Sequence, residues 1–386
     1  MHLKLTPLLL LAMSVFQKEC VGQREEQTAQ APVVKIEPIK WHPAEVKGHA
    51  GEQSKAFKIE NILPKGYVKD GSVDYTSYVQ LALSKHKQIV FPGFPILVND
   101  EGLKIGSDRT ITFLEGSEIR LKPSAKKSYE ILSIKDARNV TLINPVVVGD
   151  WDKHIGTEGE WGNGIKIGGS SNVTLYNPKV SNCWGDGIYI SATKSGVPKN
   201  IRIVNAFLKK NRRNGLSVIS VDGLVLESPY SGYNDGISPR AGIDIEPNKS
   251  YDEIKNVKIF NPKTEKNGGS AISIGLNKLY GRGDKNVSIE IRNHVDHGSR
   301  NGLLISCSTK KSVAGEKIIG NVTVMDPLWQ KNFKQPLSVY KLREPNLKLS
   351  VTNPQLVDLE GKKLSKSAFI EDVETTIGKE AVFTIR

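Results

Sequence analysis

The sequence predicts an all-β solenoid, a single chain wound so that short parallel strands stack coil upon coil. Three observations predict it. Apolar residues come in short β-branched runs broken by Asn, Gly and Pro, and few stretches keep helical spacing for three turns. Two families of short segments recur down the chain. Within each segment apolar and polar residues alternate with the period of two that marks a strand with one buried face.

The first family reads NGIKI from Asn163, DGIYI from Asp186, NGLSV from Asn214, AGIDI from Ala241, SAISI from Ser270 and NGLLI from Asn301. Their second residues are spaced by 23, 28, 27, 29 and 31, about one coil each. Alternation turns Ile165, Ile188, Leu216, Ile243, Ile272 and Leu303 inward as an aliphatic ladder. Lys166, Tyr189, Ser217, Asp244, Ser273 and Leu304 then point outward, one per coil. Coils stack at about 4.8 Å, so each backbone amide finds its partner in the next coil.

The second family reads NVTLINP from Asn139, NVTLYNP from Asn172, NIRIVN from Asn200, DGLVLESP from Asp222, NVKIFNP from Asn256, NVSIEI from Asn286 and NVTVMDP from Asn321. Two strands per coil are therefore expected. Asn before Pro, at Asn144, Asn177 and Asn261, fits a turn whose side-chain amide bonds backbone or the same residue one coil away. The NVT and NVS triplets match glycosylation sequons, but they recur with the coil and are read as structural.

Ahead of the repeats, SVDYTSYVQLALSKHKQIVF predicts a helix from Tyr75 to about Ser84 and a first strand at Ile89 to Phe91. Such a helix would plug the open end of the apolar coil. The solenoid domain is placed at 56–386, with an N-terminal cap to about 100, coils over about 101–355 and a C-terminal cap over about 356–386.

Met1 to Phe16 join a basic start to an apolar run of roughly ten residues, about half a membrane span. Residues 1–22 are read as a secretory signal and 23–55, polar and aperiodic, as a linker. Cleavage after Gly22 is preferred to lipid anchoring at Cys20, because Glu19 is bulky and charged where such sites take small residues. A secreted or periplasmic protein with no transmembrane segment is expected. Cys183 and Cys307 then remain, too few for a disulfide scaffold.

The formal net charge is +13, with no helix-turn-helix, RRM or zinc-finger pattern. That composition suits an acidic glycan or anionic surface better than nucleic acid. The oligomeric state is left open.

In a solenoid the inward ladders are core, so chemistry must sit on outward columns and loops. Three strings read as rich loops: VVVGDWDKHIGTEGEWG, PYSGYNDGISPR and RNHVDHGSR, the last with His294, Asp296 and His297. They should gather along one edge of one face and wall a groove. Asp186 begins one strand there, and Asp244 and Glu246 point outward two coils on, about 9.6 Å along the axis. An acid and a carboxylate about 6.5–9.5 Å apart can hydrolyse a glycoside with inversion. Asp186, Asp244, Glu246 and His154 are the catalytic candidates. Asp186 can equally be a turn former, as its sisters Asn163, Asn214 and Asn301 suggest.

Trp161 and Trp184 offer faces for sugar rings, and Arg213 and Arg240 could clamp an acidic sugar. Glu160, Lys166, Tyr189 and Tyr233 complete the expected binding set. No cofactor is called for; calcium is the one ion that Asp150, Asp152 and His154 would suit.

These residues resemble the right-handed parallel β-helix proteins of the pectin-lyase-like superfamily, over roughly Asp74 to Asn353. The resemblance implies a single-stranded right-handed parallel β-helix, and secreted activity on polysaccharides. WGDGIYI looks like the motif bearing the first catalytic aspartate of polygalacturonase-type glycosidases, and Asp186 matches it. The next coils depart: Arg213 and Asn214 stand where that group has paired aspartates, and Arg240, Ala241 and Gly242 where it has Gly-His-Gly. Polygalacturonase activity is therefore not carried over.

The leading expectation is a secreted enzyme hydrolysing glycosidic bonds of a polysaccharide or oligosaccharide, acidic by the charge argument. The runner-up is a polysaccharide lyase in which Lys166, His154, Tyr189 or an Arg removes a proton beside a uronate carboxylate. The third is a glycan-binding solenoid without catalysis.

Overall fold

The computed structural model describes residues 41–46, 55–307, 316–342, 344–365, 367, 369–370, 373 and 382–385. The signal peptide expected at 1–22 lies outside them. Three parallel sheets, of twelve, ten and nine strands, make an all-β solenoid of about 10 turns. A coil contributes one strand to each sheet: Arg138–Ile143 to the first, Val146–Val148 to the second, Trp161–Gly168 to the third, then Ser171–Tyr176 back to the first.

Three strands per coil correct the two read from the sequence. The missed ones are three residues long and lie inside the strings taken for loops: Val146–Val148, Tyr230–Gly232 and Val295–His297. In the third sheet Ile165, Ile188, Leu216, Ile243, Ile272 and Leu303 pair coil to coil, and so do their outward neighbours from Lys166 to Leu304. The inward set is fully buried, as period two requires.

The inward column of the second sheet changes character. Val147, Val180 and Leu208 give way to Ser231, Thr264 and Asp296 before Trp329 and Leu356 resume. The buried Asp296 accepts from Thr264 Oγ1 at 2.7 Å, Ser299 Oγ at 2.7 Å and Asn332 Nδ2 at 2.6 Å. His294 Nδ1 accepts from Trp329 Nε1 at 3.0 Å, so in the neutral ring Nε2 carries the proton and donates to Thr264 Oγ1 at 2.8 Å. Burial pushes Asp296 up to about 7 and His294 down to about 3.

The turn from first to second sheet is built on Asn. Asn144, Asn177, Asn205, Asn261 and Asn293 all have φ between 49° and 56°, a left-handed backbone that Asn tolerates better than most residues. Their amides stack: Asn177 Nδ2 donates to Asn144 Oδ1 at 2.8 Å, Asn205 to Asn177 at 2.7 Å and Asn293 to Asn261 at 2.9 Å.

Residues 41–46, within the segment read as a linker, lie against this ladder. Asn205 Nδ2 donates to His42 O, Trp41 Nε1 donates to Asn205 O, and Ala44 exchanges two bonds with the Asn177 amide. The unused polar edges of the ladder therefore recruit chain that composition alone marked as free.

Near the other end of the third sheet, the helix Thr76–Lys85 buries Val79, Ala82 and Leu83. The Gln80 carboxamide donates to Lys104 O at 3.1 Å and accepts from Lys104 N at 2.7 Å, as a neighbouring strand would. No helix among the described residues is long and apolar enough to cross a membrane.

Candidate active site

The outward column of the third sheet reads Lys166, Tyr189, Ser217, Asp244, Ser273, Leu304. Facing outward does not leave it bare. Ser217 is buried and Asp244 is 2% exposed, because residues that precede and follow the strands fold over them. The chief cover is Arg213, directly ahead of the Asn214 turn.

Asp186 makes the turn bond of its sisters and one contact more. Its Oδ1 accepts from Asn214 N at 3.0 Å, as Asn163 Oδ1 accepts from Asp186 N at 3.2 Å and Asn214 Oδ1 from Ala241 N at 2.8 Å. That is the turn role of its sisters. Its Oδ2, which an Asn would not offer as an acceptor, binds Arg213 Nη1 at 2.9 Å. Asn214 also ties the next acid in, donating from Nδ2 to Asp244 Oδ2 at 3.2 Å and to Ser217 Oγ at 3.0 Å.

Arg213 collects two further carboxylates at 3.7 Å, Glu160 at Nε and Glu246 at Nη2. Two of its contacts are long, and Nε has no hydrogen-bond partner. Asp186 and Asp244 are buried beside this one guanidinium, with Glu160 and Glu246 at its more exposed edge, so like charges crowd the site. Burial, then Glu246, holds Asp244 well above the usual carboxylate range, against Arg213 and Ser273. Burial also raises Asp186, though Arg213, Ser217 and Asn214 pull it back. Burial works against the Arg213 cation, but the surrounding carboxylates outweigh it and raise its pKa.

Lys166 Nζ sits 4.6 Å from the Tyr189 ring centroid and 3.6 Å from Glu130. Burial lowers its pKa, and burial with Asp186 pushes Tyr189 up to about 12. Trp161, first in its strand, is 49% exposed, and Glu246 has 41% of its side chain in solvent. The structure thus brings Asp186, Asp244, Glu246, Glu160, Lys166, Tyr189 and Arg213 together.

Four other candidates are not in that cluster. His154 is buried, its Nδ1 at 2.8 Å from Asp150 Oδ2 and its ring stacked on Trp184 at 3.9 Å. Arg212 lies 3.6 Å from the Trp184 ring centroid and Trp184 is 7% exposed, so its indole is not open to a sugar ring. Tyr233 bonds Glu265 beyond the second sheet, and Arg240 pairs with Asp235 at 3.1 Å. Asp150 accepts from Ser124 N and Tyr129 OH and meets His154 Nδ1.

Two of the three strings meet through the turn at Arg212: its Nη1 donates to Gly159 O at 2.9 Å, and Ile237 N donates to Arg212 O at 2.8 Å. Sequence reasoning passed over Asn214, Ser217 and Ser273. The two serines flank Asp244 in its own column, so register alone could have found them.

No family model matches the chain. It is 28% identical over 239 residues to the SPbeta prophage-derived uncharacterized protein YorA of Bacillus subtilis, a match spanning 56% of this chain and 39% of YorA. It is 26% identical to the uncharacterized protein YclG of the same organism, over 53% of this chain and 41% of YclG. The chain therefore matches well under half the length of these relatives. Among solved structures it is similar to an iota-carrageenase complexed to iota-carrageenan fragments, with TM-score 0.54, 11% identity and 77% of each chain covered. It is also similar to bacteriophage phi29 gene product 12, with TM-score 0.54, 14% identity, and 80% of this chain and 46% of that one covered. The A-module of Azotobacter vinelandii mannuronan C-5 epimerase AlgE6 gives TM-score 0.52 at 13% identity, over 78% of this chain and 87% of the module. These likenesses give the fold, a parallel β-helix.

Proposed function

We propose that this protein is a secreted enzyme that hydrolyses glycosidic bonds of an acidic polysaccharide on the outer face of its third sheet. One observation carries the reading: three carboxylates, Asp186, Glu160 and Glu246, pair with Arg213 around the buried Asp244, and the acids differ in setting. Asp244 is enclosed, and burial and the nearby Glu246 hold its carboxyl well above the usual carboxylate range, while Glu246 is partly in solvent. Glycoside hydrolysis needs that difference, an acid to protonate the leaving oxygen and a base to activate water.

Asp244 is the acid and Glu246 the base. Asp186 positions Arg213 and so sets the field around Asp244. A glycosidic oxygen reaches Asp244 by displacing the guanidinium from its two long contacts, 3.7 Å to Glu160 and Glu246. Trp161 supplies a face for a sugar ring, with Lys166 and Tyr189 next along the column. The likeness to a carrageenase and to a mannuronan epimerase module supports a polysaccharide as partner. In this reading the helix at Thr76–Lys85 caps the first coil, residues 1–22 direct export, and no cofactor is required.

A lyase is the second reading, favoured by Lys166, whose lowered pKa brings its amine nearer to a working base. The test is to incubate the full mature chain with neutral and acidic polysaccharides, measuring reducing ends and the ultraviolet absorbance of unsaturated uronate. New reducing ends without that absorbance, lost in Asp244→Asn and Glu246→Gln, support hydrolysis. Unsaturated products lost in Lys166→Ala would move the assignment to elimination. Binding without any shortening would overturn both.

A further inference from the structure

We infer that the outer face of the second sheet, with the turn that follows it, binds a linear polyanionic glycan along the solenoid axis, apart from the third-sheet groove. Lys179 and Lys263 point outward from that sheet, and Lys209 lies one row further along. Lys210, Lys266 and Lys331 follow in the turn, in one column with Asn182, Tyr233 and Gly298. Coil spacing repeats such positions every ~4.8 Å along the axis.

Two observations set these lysines apart from an ordinary solvated surface. The first is the backbone. The column is left-handed throughout, with φ of 54°, 47° and 54° at Lys210, Lys266 and Lys331, beside 59° at Asn182 and 74° at Gly298. Such a turn asks for Asn or Gly, as the neighbouring Asn ladder does, and lysine gains nothing there from conformation. An unfavourable backbone kept in three coils points to the side chain as the reason.

The second is pairing. On the first sheet Arg202 is matched to Glu227 at 2.9 Å, Lys255 to Glu253 at 3.0 Å and Arg292 to Glu290, with Lys199, Lys258 and Lys348 unmatched among the described residues, whereas on the second sheet pairing is missing throughout the lysine set. Among the described residues none of the six lysines has an acidic partner at ion-pair distance. The acids of that face are engaged elsewhere: Glu265 is nearly buried and accepts from Tyr230 OH at 3.0 Å and Tyr233 OH at 3.1 Å, Glu118, two coils before Lys179, pairs with Arg120, and Asp358, one coil after Lys331, accepts from Glu360 N and Lys362 N. Asp152, bonded to Asn182, closes the upstream end.

A glycan is favoured over nucleic acid by spacing and by the ring. The turn lysines fall on alternate coils, ~9.6 Å apart, about two pyranose lengths, so a sugar chain with one anion per residue meets a lysine at every second anion. DNA presents charge every ~1.7 Å of duplex or ~3.4 Å of strand. Single strands also want free aromatic faces for stacking. Tyr233 already carries the Lys209 and Lys266 ammoniums, 4.7 Å and 5.6 Å from its centroid.

The experiment is titration of the full mature chain with polygalacturonate, dextran sulfate and neutral dextran at several salt concentrations. Lys210→Asn, Lys266→Asn and Lys331→Asn together keep a residue suited to the turn. They should weaken polyanion binding at least ~10-fold and flatten its salt dependence, while Lys258→Asn with Arg292→Asn on the first sheet leaves both unchanged. Lys179→Gln with Lys263→Gln, in regular strand, should give a partial loss even if the turn variant folds poorly. Wild-type affinity in both second-sheet variants, or no binding of either polyanion by the wild type, overturns the inference. So does tighter binding of single-stranded DNA than of polygalacturonate at equal salt.

Discussion

Replacing Asp296 by Asn should uncover a pH dependence that the native chain conceals. Asp296 is buried with its folded pKa raised from 3.8 to about 7, so its contribution to stability is complete below 3.8 and is lost as pH rises through 7. The loss is about 4 kcal/mol at 1.36 kcal/mol per unit. His294, four atoms of hydrogen bonding away through Thr264, has the opposite sign. Its folded pKa falls from 6.5 to about 3, so its contribution is complete above 6.5 and is lost as pH falls toward 3, by about 5 kcal/mol. Between about pH 4 and pH 6.5 the two slopes nearly cancel. Asn fits the site: its Oδ1 can take the bonds from Asn332 and Ser299 N, and its Nδ2 can donate to the hydroxyls of Thr264 and Ser299, which rotate. Urea unfolding, followed by tryptophan fluorescence across that window, reads the difference between variant and native chain, in which all other groups cancel. Asp296→Asn should lose stability on acidification by about 1.4 kcal/mol per pH unit, and His294→Asn should gain it at the same slope. If both variants track the native chain in parallel, the buried pair does not titrate as reasoned.

Asp186→Asn should fold normally, because Asn163 and Asn214 fill the same turn, yet it should lower the alkaline limb of the pH–rate profile. The native limb falls as pH rises through the raised pKa of Asp244, and removing Asp186 frees Arg213 to stabilise the Asp244 anion. Arg213→Ala leaves buried acids without their cation and should cost about 3–5 kcal/mol in chemical denaturation, far more than Asp186→Asn. Asp244→Asn should cut glycan cleavage by about 10²–10⁴-fold without a comparable loss of binding, measured by initial rates and by titration with uncleaved substrate. Asn177→Ala breaks bonds to Asn144, Asn205 and Ala44 at a left-handed position, and should lower the melting temperature by an amount matching about 2–3 kcal/mol.

The third sheet was legible because its two faces differ so strongly. Ile188 and Ile190 alternate with Tyr189, and the register follows from that alone. The second sheet was not. From Val146 onward its strands are three residues long, and in three successive coils its inward residue is Ser231, Thr264 or Asp296, so the alternation of apolar and polar that marks a strand vanishes. The aspartates of the site could be placed on their strands, but their partner could not. Arg213 reaches one coil back to Asp186 and meets Glu246 from a later coil, contacts set by turn geometry rather than spacing. His154 and Trp184 misled for a related reason: a dense polar loop needs its own anchors, and those residues pack against Asp150 and Arg212 instead of facing the groove.

The Asn-Pro turns also bear on how this protein would age. Asparagine decays when the next backbone nitrogen attacks its side-chain carbonyl to give a succinimide, and proline has no N–H to make that attack. Asn144, Asn177, Asn261 and Asn353 are each followed by Pro and are protected by covalent structure alone. Asn205 and Asn293 precede Ala206 and His294 instead. Asn205 is nearly buried and held by His42 and Asn177, whereas Asn293 is exposed. Deamidation in this ladder should therefore begin at Asn293. The isoaspartate formed there adds a methylene to the backbone immediately before His294, so a slow chemical clock on the surface runs directly into the proton-sensitive interior.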